Sequence, residues 1–500
     1  MKKRLTAILL AMLMVMPLTA CSDNASDSES SSSSSDEETA STVENTADTT
    51  ETQPEEDAEI DALYADVPSE DYNGYEFVFL NNISNFAYTF MTTEELTGDV
   101  LNDAVYNRNI KVSEKLGIVI TENLVDYGDV TDAMNKEIAA NTDTYDCFWN
   151  ESKFVAPFAT KGSLVNVNDI ESLNLDKPWW NSGAMNDVEV KDKLYFLVGD
   201  LHLMFKEAHW LLGFNKNIMD SVNLSAPYDL VREGKWTYDA LNQYLTAAVS
   251  DLNGNGEVDI EDQFGLTSYD GCIRSFIYGA GETVMEKNSE GIPEFITPGD
   301  RFYSVYDDLV NMLFAVSDGR YCGNLSGLDT YGGWMGVFSQ GHAMFFSDPV
   351  GSLKKLRDMD AEFGVVPYPK YDESQENYVS LIAVYAAFCG IPITNSDTER
   401  TGVILENLCA ESYGGVRDAY SQATLNFKYI RDEDSSEMLD IVFNTGTFNL
   451  SDTLGVSVLT DTIQSNANNG KTDIASQYTK MMKSALKLLD KAIDGLLGEE

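Results

Sequence analysis

Residues 251–262, DLNGNGEVDIED, place oxygen-bearing side chains at a fixed rhythm. Counted from Asp251, positions 1, 3, 5, 7, 9 and 12 fall on Asp251, Asn253, Asn255, Glu257, Asp259 and Asp262, with Gly256 at position 6. That is the spacing of a calcium loop. Hard oxygen donors recur at alternate positions, the carbonyl of residue 7 serves as a ligand, position 9 often acts through water, and a glycine permits the sharp turn. Asp262 stands where a longer Glu is usual and offers a shorter bidentate arm. Val258, at position 8, is expected to anchor the loop to the core. The bland alternative is a solvated acidic turn. A helical pattern leads into the loop and a strand pattern leads out, with no second loop. The expected calcium is therefore a structural staple rather than a sensor, since nothing is placed to swing open.

Other chemistry-bearing patterns are sparse. The three histidines, His202, His209 and His342, show no ligand spacing, which excludes an ordinary zinc site. Cys147, Cys272, Cys322, Cys389 and Cys409 form no CxxC and no even framework. Cys147 and Cys389 sit in apolar surroundings and read as small core residues, while Cys272 and Cys322 are the one pairing that could bridge. GxSxG, HExxH and Cys/His constellations are absent. Carboxylates abound, so a hydrolytic pair about 5 to 10 Å apart, as in a glycoside hydrolase, stays open as an alternative.

Lys and Arg number 33 against 82 Asp and Glu, a net charge of −49 that repels nucleic acid and anionic membranes. The chain begins MKKRLTAILLAMLMVMPLTAC: a basic start, then an apolar run too short to span a bilayer, ending in small residues. Residues 1–20 read as an export signal, and Leu18-Thr19-Ala20-Cys21 resembles a bacterial lipobox, which implies lipidation of Cys21. Residues 21–66 are Ser, Thr, Asp and Glu with few apolar side chains. They cannot bury enough surface to offset the entropy of ordering, and read as a disordered tether. The expected location is the extracellular face of a cell membrane, held by lipid alone, in a Gram-positive bacterium.

From Tyr72 onward strands alternate with helices. Strands are expected at 76–82, 117–125 and 145–150, with helices at 99–116 (Leu101, Val105, Val112 and Leu116 on one stripe) and 130–140. Further strand-like runs are 193–200, 210–220, 263–269 and the segment after Phe338, with 363–372 extended. Helices are expected at 236–249, with Thr237 as N-cap, at 301–316 and at 396–411. A C-terminal helix is expected to bury Met482, Leu486, Leu489, Ile493 and Leu496. The alternation implies an α/β chain with mostly parallel sheets.

Several stretches, in order, resemble the extracellular solute-binding proteins of ABC transporters, in the carbohydrate-binding group related to maltose-binding protein. They are Tyr145-DCFWNESKF with Phe158-ATKGSLVNVND, Gly213-FNKNIMD, Gly234-KWTYDAL, Phe338-SQGHAMFF, Phe363-GVVPYP and Cys389-GIPITNSDTERTGVILENL. The resemblance implies a two-lobed periplasmic-binding-protein-like fold of type II, with a hinge of two or three crossings. The lobes would be 67–215 with 345–395, and 216–344 with 396–500. It implies a monomeric receptor that captures a small solute, an oligosaccharide first of all, and hands it to membrane permease subunits. A cell-surface adhesion or scaffold module is the further alternative.

Cleft residues follow from the same resemblance and from aromatic and carboxylate chemistry suited to sugars. Trp149 matches a cleft tryptophan of the group, the alternative being a cap on the core; Asn150 and Glu151 follow it at a strand end. Glu207 and Trp210 precede the first crossing, Asp348 follows the return strand, and Trp334 and Tyr385 are further aromatic candidates. Trp179 and Trp180 are either rim aromatics or packing. Ser152 and Val350 replace a carboxylate and a stacking tryptophan of the maltose group, which points to a different ligand.

Overall fold

The computed structural model describes residues 62–83, 90–126, 128–268, 272–315, 317–323, 325–425 and 432–498. Cys21, the signal segment and all of the tether before residue 62 lie outside the described residues.

The strands are β1 (Tyr75–Asn82), β2 (Ile118–Val125), β3 (Cys147–Glu151), β4 (Trp210–Asn215), β5 (Phe264–Ser268), β6 (Met285–Lys287), β7 (Pro293–Phe295), β8 (Ala343–Pro349), β9 (Phe363–Val366), β10 (Ser380–Ile382), β11 (Ala387–Gly390) and β12 (Gly446–Phe448). One sheet has the order β11-β3-β1-β2 and another β5-β8-β4-β9. In the first, β1 runs parallel to β2 and β3, while β11 is antiparallel to β3. In the second, β4 is antiparallel to both β8 and β9, and β5 is parallel to β8. Every residue of β4, β5, β8 and β9 is buried, as in a sheet covered on both faces.

The helix Val100–Leu116 shows how local chemistry sets an element. Asp99 caps it by accepting from the N–H groups of Leu101 and Asn102, and Gly117 ends it at φ 60°. Its buried face is Leu101, Val105, Val112 and Leu116, the expected stripe, with Arg108 added. The buried guanidinium donates to the carbonyl of Met91 at 2.6 Å and to the Ser412 hydroxyl at 3.2 Å, which satisfies a charge that burial would otherwise penalise. Thr237 caps Tyr238–Ala248 as expected.

Three expectations about the fold need correction. The segment 193–200 is not a strand: its one ladder contact with β11 is the Leu197–Cys389 bridge, with Phe196 packed on Phe388 at 5.1 Å, and Gly199 bridges instead to Trp180. The expected lobe boundaries are crossed, since β4 (from 67–215) and β9 (from 345–395) hydrogen-bond into the sheet of β5 and β8. In the other direction, Thr398–Glu411 packs beside Val100–Leu116, with Lys115 donating to Asn407 at 2.6 Å. The final helix, Ile474–Leu497, buries Ile474, Tyr478, Ala485, Leu489, Ala492 and Leu496, while Leu486 is 43% exposed. The one pairing that could bridge does not: Cys272 and Cys322 are buried thiols, as are Cys147 and Cys389, the two read as small core residues.

Three segments run between the two larger sheets and meet. β10 pairs in parallel with β12, and His209, just before β4, bridges to Ile382. The His209 imidazole is packed edge-on between Phe205 and Phe443, at 5.1 and 5.4 Å, and burial pushes its pKa down to about 4, so it is neutral. The final helix is pinned near both ends: the Tyr478 hydroxyl donates to the Ile296 carbonyl at 3.0 Å, and the Leu496 carbonyl accepts from the Tyr195 hydroxyl at 2.7 Å. Trp179 and Trp180 are core residues, not rim aromatics. Both indole N–H groups donate to the buried Glu406 carboxylate, at 3.0 and 2.7 Å.

Candidate functional site

Where the strand ends of the two larger sheets come together there is a cavity of about 640 Å³. β3 contributes Glu151, β4 contributes Trp210, and β8 contributes Asp348 and Pro349. The crossing segment adds Leu381 to Tyr385, helix residues add Arg274, Trp334, Asp452 and Gln464, and the N-cap Asn449 joins them. Strand termini in open α/β sheets are where side chains emerge from the core with their polar ends turned toward a ligand.

Five of the eight candidate residues, Glu151, Trp210, Trp334, Asp348 and Tyr385, line this one cavity. The other three are withdrawn from it. Trp149 is 1% exposed, stacked on His202 at 5.0 Å, and paired across the sheet with Cys389. It caps the core, because only the last residue of β3 reaches the cavity wall. Asn150 is buried and accepts from the Asn82 amide at 3.4 Å. Glu207 is buried beneath Gly351, where a methyl group would stand 3.2 Å from the Glu207 Cβ.

Three carboxylates and three cations share the wall: Glu151, Asp348 and Asp452 against Lys153, Arg274 and Lys355. In a chain of net charge −49 this is a locally balanced patch. Lys153 meets Glu151 at 2.7 Å, and Arg274 meets Asp452 at 2.7 Å while its other terminal nitrogen reaches Asp461. Asp452 also accepts from Thr460 at 2.6 Å and from the Asn449 amide at 2.8 Å, so the Arg274 fork is fixed in place. The Lys355 ammonium lies 5.6 Å from the centre of the Trp334 ring, within cation–π range.

Asp348 is 5% exposed and accepts from the Ser352 hydroxyl. Burial pushes its carboxyl pKa up to about 7, against the opposing pull of Ser352 and Lys355. The Tyr385 phenol is pushed well above its ordinary value by burial and then by Asp348, Glu207 and Glu151, so it stays a neutral hydroxyl. Burial likewise raises Asp452, with Arg274 opposing. Chemically the wall offers flat aromatic faces, hydroxyl and amide groups, two carboxylates paired with cations (Glu151 with Lys153, Asp452 with Arg274) and the buried carboxyl of Asp348. That set suits a neutral polyhydroxylated solute.

Sequence reading missed Lys153, Arg274, Ser352, Lys355, Asn449, Asp452 and Gln464. Arg274 had one visible signal: it is the only Lys or Arg between Lys235 and Lys287.

In the loop 251–262, the Asp251 carboxylate accepts from the N–H groups of Gly254 and Gly256, at 2.7 and 2.9 Å. Asp262 accepts from Leu252 and Asp259, at 3.1 and 3.0 Å, and the Asn253 and Asn255 amides reach Asp259. The donor set is all oxygen, as a hard cation requires. As folded, these groups serve the loop's own backbone and amides. Among the described residues no three His, Cys, Asp or Glu side chains gather to hold an ion. Val258 is 38% exposed and does not anchor the loop; Ile260 does, packing on Phe264, Cys322, Val337 and Ala343.

Comparison with known proteins gives a match of architecture. No family model and no curated protein matches the chain. Among solved structures, a cyclo/maltodextrin-binding protein complexed with maltotetraose is similar at TM-score 0.56 and 14% identity, over 84% of this chain and 97% of that one. The fold is that of the ABC-transporter solute-binding proteins. UgpB from Mycobacterium tuberculosis, in complex with glycerophosphocholine, gives TM-score 0.55 at 14% identity, over 84% of this chain and 99% of that one. An ABC substrate-binding protein of Listeria monocytogenes, in complex with cycloalternan, gives 0.53 at 12% identity, over 85% and 100%. The periplasmic-binding-protein-like α/β fold expected from the sequence is therefore present.

Proposed function

We propose that this protein is a solute-binding receptor of an ABC importer, not an enzyme, and that the cavity between β3, β4 and β8 holds its ligand. The observation that carries the reading is the convergence of Trp210, Trp334, Tyr385, Glu151 and Asp348 on one cavity in a chain with this fold. The solute class favoured is a neutral oligosaccharide. The rings supply stacking surfaces, and Lys153 and Arg274 are already engaged by carboxylates rather than free to meet an anion. Closure of hinged halves about β10, β12 and His209 would trap the solute for delivery to a permease. The receptor would act as a monomer, tethered through residues 21–66 and a lipid on Cys21 to the outer face of the membrane. No described helix is long and apolar enough to cross a bilayer. Calcium in the loop 251–262, on its residue spacing alone, is the proposed structural ion.

A thermal-shift screen across mono- and oligosaccharides, polyamines and peptides tests this. Stabilisation by one class of solute, recovered unchanged afterwards, supports the receptor. Turnover of a glycan would replace the reading with the glycoside hydrolase.

A further inference from the structure

We propose that the cavity takes up one proton when an uncharged solute fills it, and that Asp348 is the group that receives it. The proposal rests on the reading of the cavity as a solute site.

Asp348 lies in the cavity wall at the end of β8 and is all but buried. Its surroundings can be taken element by element. The turn after β8 supplies the Ser352 hydroxyl and Lys355, with Lys354 drawn toward Glu207 behind it. The crossing segment supplies Tyr385, whose phenol feels Asp348, Glu207 and Glu151 together. Beyond β9, Tyr368 also senses Asp348. From β3 come Glu151 and its partner Lys153, and across the cavity stand Arg274 and Asp452. His209, next to β4, is neutral. Asp348 thus sits in a group of three carboxylates gathered about one tyrosine.

In the open cavity, water supplies part of the solvation of an ionised Asp348. A neutral solute expels that water. The lower dielectric then weakens what hydration stabilises and adds to the burial cost that already holds the carboxyl above its ordinary value. Lys355 is exposed and offsets this only in part. The neutral carboxyl can still accept from Ser352 and can donate its own proton to a solute oxygen. Already poised near pH 7 in the empty cavity, the carboxyl needs only a modest further rise to stay protonated at neutral pH. Filling the cavity therefore draws a proton from bulk, and affinity falls as pH rises above the empty-cavity value, by at most about tenfold per pH unit.

The test is calorimetry on the full chain with maltotetraose as probe, at about pH 7.5, in phosphate and in Tris, whose ionisation enthalpies differ. The expected result is a buffer-dependent enthalpy that corresponds to uptake of up to one proton, shrinking toward zero at about pH 5, where the empty-cavity carboxyl is already protonated, and absent from whatever binding Asp348→Asn retains. Binding without proton exchange, or exchange that persists in Asp348→Asn, overturns the proposal and leaves the receptor reading intact. If maltotetraose does not bind, that counts against the sugar reading, and infrared spectroscopy of the solute-free protein then decides. A neutral-carboxyl band that titrates near neutral pH and is missing from Asp348→Asn supports Asp348 as the proton holder; its absence from the wild type overturns it.

Discussion

Gly446 lies directly under the His209 imidazole: a Cβ on residue 446 would stand 2.4 Å from Nε2. The two residues belong to separate segments of the three that meet between the larger sheets, so their contact fixes how closely β12 can approach the start of β4. Gly446→Ala must push the ring or the strand aside. The expected cost is about 1 to 3 kcal/mol in chemical denaturation, the usual range for overpacking. A stability equal to wild type would mean the segments are not packed as described.

The two kinds of tryptophan should separate cleanly. Trp210→Ala and Trp334→Ala remove cavity walls, so solute affinity should fall about tenfold or more, as for a lost aromatic contact of about 1.4 kcal/mol or larger. Trp149→Ala empties the core beneath, and should cost about 3 to 5 kcal/mol of stability. Calorimetry and denaturation on the three variants check this. Loss of binding in a fully stable Trp149→Ala protein would return that residue to the ligand.

Asp348 makes stability depend on pH with a definite sign. Its folded pKa, about 7, lies above the ordinary 3.8, so the native state binds more protons than the unfolded chain between those values. Stability therefore falls as pH rises through that window, and the penalty is complete above it. Asp348→Asn should raise Tm over wild type at about pH 8 and change it little at about pH 3, since the wild-type carboxyl is then largely protonated in both states. A gain of equal size at both pH values would locate the effect in packing rather than in charge.

Calcium occupancy has a plain signature. If the loop 251–262 binds the ion, millimolar calcium should raise Tm over an EGTA-treated sample, in proportion to the logarithm of its concentration above the dissociation constant. Asp251→Ala combined with Asp259→Ala should remove the increment. No difference between the calcium and EGTA samples would leave the loop as a self-bonded acidic turn.

Much of the fold was legible because its signals are local. The stripe Leu101, Val105, Val112 and Leu116, the Thr237 cap and the buried runs of β3 and β8 each lie within a few residues. The lobe boundaries were not legible, since β4 and β9 join their sheet through hydrogen bonds to strands far along the chain. The site divided the same way. Aromatic and acidic residues beside expected strand ends reached the cavity. Trp149 did not, because period-2 alternation does not say which strand residue is the last to be covered. Asp452 was invisible: its place depends on Arg274, Thr460 and Asn449 meeting it from different elements.

The final helix, Ile474–Leu497, spans 24 residues, which at 1.5 Å each makes a rod of about 36 Å. Its head is moored beside β7 through Tyr478 and its foot to Tyr195 through Leu496, where Gly495 is so close to the Thr160 carbonyl that a methyl would stand 2.1 Å away. A stiff strut tied at both ends cannot lengthen. If the segments that carry Ile296 and Tyr195 move apart, the helix must follow one of them or lose its hold on the other, so amide exchange in the last turn, around Gly495, becomes a gauge of that motion.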